Sequence, residues 1–102
     1  MPIGDFVNLI PVPVFLLIHL TAFAIGAWFA WRSFEADAGL LGWAFTLYAA
    51  AELSYMTYHL DWTVILFAHT IAEVFDLLAF VLVFVAATRG VTAQLRGSEG
   101  RP

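Results

Sequence analysis

Residues 62–88 read WTVILFAHTIAEVFDLLAFVLVFVAAT, and that run decides the fold class. It is almost wholly apolar, and Glu73 and Asp76 are its only charged residues. A helix needs roughly 20 such residues to cross the ~30 Å hydrocarbon core of a bilayer. In lipid every backbone N–H and C=O must find a partner inside the segment, so the stretch is expected to be helical throughout.

Two more stretches upstream have the same character. Residues 12–34 carry no charge before Arg32, and residues 38–60 carry one, Glu52. The punctuation agrees with three helices at about 12–34, 38–60 and 62–88. Pro11 and Pro13 fall at the start of the first, where a missing N–H does little harm. Glu35-Ala36-Asp37-Ala38-Gly39 makes a short polar connection, and Leu60-Asp61-Trp62-Thr63 a tighter one. From Arg89 to Pro102 the chain becomes polar and glycine-containing, which predicts a disordered tail. The segment Met1–Val7 carries Asp5 and no positive charge, so the first apolar run is expected to remain as a membrane span and not to be a cleaved signal.

Composition supports that class. The chain is 63% hydrophobic and 12% charged, with no lysine and no cysteine. Soluble domains carry roughly 25% charged residues. A net charge of −4 with only four basic residues argues against nucleic acid as a partner. The lack of cysteine excludes disulfides, thiolate catalysis and Cys-ligated metal centres. Without a glycine-rich phosphate loop, a lysine, or a nucleophile beside an evident base, an enzyme is harder to support; the ligand types described below leave a metal-dependent membrane hydrolase open, with no substrate indicated.

Orientation follows from the arginines. Arg32 lies at the first connection, and Arg89, Arg96 and Arg101 follow the third helix; with three spans these positions share a side. Basic residues stay cytoplasmic, which predicts an N-terminus outside, a cytoplasmic C-terminus, and a multi-pass protein of the cell membrane. Trp28, Trp31, Trp43 and Trp62 lie towards helix ends, as interfacial aromatics do.

Ionisable residues within a membrane span are costly and are candidate functional residues by default. Folding the chain about its two short connections sets His19 level with Glu52. The same construction sets Glu52 level with Ile71, which His69 and Glu73 flank by half a turn, ~3 Å each. His19, Glu52, His69 and Glu73 are therefore expected in one layer, about eight residues or ~12 Å below the outer surface. His69, Glu73 and Asp76 form one stripe of the third helix; Tyr48, Glu52, Tyr55 and His59 form one stripe of the second. His19 shares its face with Ala22, Gly26 and Ala30, a small-residue ridge suited to close helix approach. Asp76 lies ~5 Å deeper, protonated or paired, with Tyr48 as a candidate partner.

Three uses of this layer are open. Two imidazoles and two carboxylates at His19, Glu52, His69 and Glu73 suit a divalent metal such as Zn²⁺, Fe²⁺ or Mn²⁺. His19 and His69 suit the axial positions of a b-type haem. His69, Glu73 and Asp76, with Tyr48, Tyr55 and His59 around them, suit a proton or ion relay. A cofactor- or metal-binding membrane subunit or sensor is the leading expectation. A proton- or ion-conducting component and a structural accessory subunit are the alternatives. Three helices have little interior, so a homo-oligomer or a complex with another membrane subunit is expected, with the Ala22, Gly26, Ala30 ridge as its contact surface. Each polar stripe is expected to turn inward.

Overall fold

The computed structural model describes residues 3–99, with side chains to residue 96, and among them there are helices and no strand. A short 3-10 helix, Asp5–Leu9, precedes three long helices: α1, Val12–Glu35; α2, Gly39–His59; and α3, Ile65–Glu99. Pro13 sits in the first turn of α1, where its ring costs no hydrogen bond.

Both connections are built the same way. Asp37 (φ 59°) and Asp61 (φ 64°) adopt left-handed backbone just past α1 and α2. Their neighbours close the helix ends: Ala38 N–H bonds Ser33 C=O at 2.8 Å, and Trp62 N–H bonds Thr57 C=O at 2.9 Å. These six-to-one bonds satisfy carbonyls that the last turn would otherwise leave open. A hydroxyl contact of 3.0 Å between Thr57 and Thr63 spans the second turn, and α3 starts at Ile65, later than residue 62.

The end of α3 corrects the expectation of a disordered tail from residue 89. The helix continues through Arg96 to Glu99; residues 100–102, with Arg101, lie outside the described residues. Polarity marks where an apolar segment ends, not where a helix ends. Extending an existing helix needs no new nucleus. Ala93, Gln94, Leu95 and Arg96 are good helix formers, and Gly90 and Gly97 oppose them by about 1 kcal/mol each.

α2 lies in the middle, with α1 and α3 packed on its two flanks and no packing of α1 on α3. The helices thus form an open layer rather than a closed bundle, 64 × 30 × 20 Å overall. Both seams are made of small residues. Towards α1, Gly26 meets Tyr48 and Ala49, and Gly42 lies under the Phe34 ring. Towards α3, Ala44 and Ala51 belong to a set of buried alanines completed on α3 by Ala68, Ala72 and Ala79. Ser54, across α2 from Glu52, donates a 2.9 Å hydrogen bond to the Ala68 carbonyl.

This arrangement corrects two expectations. The Gly26 and Ala30 ridge is buried against α2 of the same chain, so it is not free to hold a second copy. The polar stripes do not turn into a shared interior either. Phe45, Tyr48, Glu52, Tyr55 and His59 occupy the strip of α2 between its two flanks, and their bulk keeps α1 and α3 apart.

Every buried hydrophobic side chain among the described residues is an alanine, whereas Trp28, Trp43, Leu66, Phe80 and Phe84 are exposed. Two helices are long and apolar enough to cross a membrane: Val12–Glu35, with a mean hydropathy of 2.0, and Ile65–Arg96, at 2.3. α2 is less apolar because it carries Tyr48, Glu52, Ser54, Tyr55, Tyr58 and His59.

Candidate functional site

The site is built on the strip of α2 between its two flanks, where Tyr48 is exposed and Glu52, Tyr55 and His59 are half-buried. Tyr48, Glu52, Tyr55 and His59 recur at helical spacing and project from one side of that helix. His19 reaches them from α1: its Nδ1 is 2.5 Å from Glu52 Oε2. A carboxylate can only accept, so with Glu52 ionised the proton of this bond sits on Nδ1. The side chains of the pair are 19% and 14% exposed, so the contact is largely screened from its surroundings.

Aromatic rings extend the pair in both directions. The His19 ring stacks on Tyr55 and on His59, each at a centroid separation of 5.2 Å. His59 in turn stacks on Phe15 at 4.9 Å with an interplanar angle of 3°. Tyr55 leads on to α3, where its hydroxyl lies 3.4 Å from His69 Nδ1. One contact series therefore runs Phe15, His59, His19, Tyr55, His69 and joins all three helices. Tyr55 carries the series from α1 to α3, whose backbones do not approach each other.

Of the residues expected in one layer, His19 and Glu52 are in direct contact, and His69 joins them through Tyr55. Glu73 does not. It lies one turn along α3 from His69, and the two border a shallow depression of about 310 Å³ with Thr70, Val74 and Leu77. Asp76 opens into a different groove, between α2 and α3, which it shares with Tyr48. Among the described residues, no three His, Asp or Glu side chains converge closely enough to hold a metal ion. Tyr55 touches both His19 and His69, so the two imidazoles are bridged by a phenol within one chain.

Some participants were not singled out in the sequence. Phe15 falls one turn before His19, and that spacing was its only signal. Ser54 holds α2 to α3 by its hydroxyl, a role its position among alanines could have suggested. Phe45, Phe80 and Val83 frame the Asp76 groove and look like ordinary lipid-facing residues in the sequence.

No protein-family description, no curated protein and no solved structure matches the chain.

Proposed function

We propose that the chain is a three-span protein of the cell membrane, N-terminus outside and C-terminus cytoplasmic, acting as a proton-conducting component of an oligomeric assembly. The membrane reading rests on a surface of large apolar side chains over a core of alanine and glycine, the pattern of helices that pack in lipid. Water would leave that surface unsatisfied. α2, although more polar, crosses with α1 and α3 on its flanks, and the arginine distribution sets the direction.

The observation that carries the relay reading is the contact series His59, His19 with Glu52, Tyr55 and His69. An imidazole can accept a proton at one nitrogen and release one from the other. Glu73 and Asp76 continue from His69 along α3, about one turn at a time, towards mid-membrane. Beyond Asp76 the next ionisable residue on α3 is Arg89, so one chain supplies groups for the outer half only. A second copy or another subunit supplies the rest and covers the polar side of the layer, where ionisable groups facing lipid are costly.

The test is proton flux into liposomes containing the purified protein, driven by a potassium diffusion potential and read with an enclosed pH dye. Wild type should conduct, and Glu52→Gln and His19→Gln should each abolish the flux while inserting normally. Equal flux from both variants would remove the relay.

A second reading is a divalent metal held between two copies, favoured by the exposed His69 and Glu73 one turn apart on α3. Metal analysis and an absorption spectrum of detergent-purified protein separate the cases. Stoichiometric metal selects this site, and a Soret band selects a b-type haem instead, with His19 and His69 as ligands from different copies because Tyr55 bridges them within one chain.

A further inference from the structure

A groove between α2 and α3 has a volume of about 400 Å³. Ala44 and Ala79 are buried in it, and Phe45, Tyr48 and Phe80 supply aromatic walls. Asp76 is the only charged residue that lines it. No hydrogen bond or ion pair to Asp76 forms among the described residues. On its own helix the nearest basic residue is Arg89, about 20 Å along the axis at 1.5 Å per residue. Among the described residues, therefore, no basic side chain pairs with this carboxyl group.

We propose that this groove binds a lipophilic monovalent cation, such as a hydrophobic ammonium or phosphonium compound, with Asp76 as its counter-ion. One carboxylate matches one positive charge. A small metal ion would need several more oxygen or nitrogen ligands than the groove offers. The walls favour a bulky ion with diffuse charge, because aromatic faces attract such cations once water is removed. The volume lies within the range of small-molecule sites, which combine apolar walls with a few polar groups. The groove opens at Phe80, 78% exposed, so the ion arrives from the surrounding lipid. Binding does not require that protons move through the neighbouring histidines, so it goes beyond the relay reading.

The test is equilibrium dialysis of tetraphenylphosphonium against the full-length protein in mild detergent. Wild type should bind it saturably, and Asp76→Asn should weaken binding about tenfold or more, the scale of losing a partly desolvated ion pair. Asp76→Glu, which keeps the charge, should stay within about threefold of wild type. Val83→Trp keeps the carboxylate and fills the groove, and should weaken binding about fivefold or more. If Asp76→Asn does not elute as a single species, Val83→Trp and Asp76→Glu decide. Absence of saturable binding to wild type overturns the proposal, as does binding that neither Asp76→Asn nor Val83→Trp diminishes.

Discussion

His19 on α1 meets Glu52 on α2 with Nδ1 2.5 Å from Oε2, at the level the short connection between the two helices sets for both. Replacing Glu52 with Gln preserves a hydrogen-bonding partner of nearly the same size and removes ionisability. A single interhelical hydrogen bond in lipid contributes only ~0.6 to 2 kcal/mol. Glu52→Gln should therefore fold, insert and melt within a few degrees of wild type while losing proton flux. Loss of the folded protein instead would show that the pair is chiefly structural.

Gly42 has no room for a methyl group. A Cβ there would lie 2.6–2.7 Å from three atoms of the Phe34 ring. Gly42→Ala should cost ~1–3 kcal/mol by overpacking. The double variant with Phe34→Ala should recover part of that loss, because the two residues share one contact. Thermal melts in detergent measure both, and strictly additive losses would contradict the packing described for the α1–α2 seam.

Gly26 answers a different question. A Cβ there would come 2.9 Å from Tyr48 Cδ1, and Gly26 is buried within the chain. Gly26→Leu should destabilise the monomer by prising α1 from α2. The association of copies should instead depend on the open polar side. Disulfide trapping should join two copies through Leu77→Cys, which lies beside Glu73, and not through Leu53→Cys. Efficient trapping at residue 53 alone would place the interface elsewhere.

Asp61 holds φ at 64° with no side-chain requirement evident at that position. Left-handed backbone disfavours residues with a Cβ by ~1–2 kcal/mol, with Asp among the milder cases. Asp61→Gly should leave stability unchanged or raise it slightly, and Asp61→Val should lower it by about 1 kcal/mol. A Gly variant less stable than Val would mean that the carboxylate itself holds the turn.

Topology is checked by labelling, since the chain has no cysteine of its own. Asp61→Cys in intact cells should react with an impermeant thiol reagent, and Leu95→Cys should react only after permeabilisation. The reverse pattern would invert the orientation and move the histidine series to the cytoplasmic side.

Much of this protein is legible one helix at a time. Apolar runs of spanning length, with proline at the start of α1 and aspartate at each turn, mark the helices to within a few residues. The contact between His19 and Glu52 was legible as well, because a rise of 1.5 Å per residue and a short connection fix which positions are level. The end of α3 was not, since Arg89–Glu99 is polar enough to leave an apolar segment and regular enough to stay helical.

By itself the sequence determined where the helices lie, their stripes and the level of each ionisable residue along its helix, because these depend on periodicity about one axis. Only the tertiary structure decided how the stripes are shared. That depends on the angle between α1 and α3 around α2, which is set by volume at particular contacts. Gly26 under Tyr48, Gly42 under Phe34, and the alanines between α2 and α3 bring each outer helix close to α2. The bulk of Phe45, Tyr48 and Tyr55 keeps those outer helices from meeting. The same packing makes Tyr55 the bridge between His19 and His69, leaves Glu73 exposed on α3, and opens the groove at Asp76.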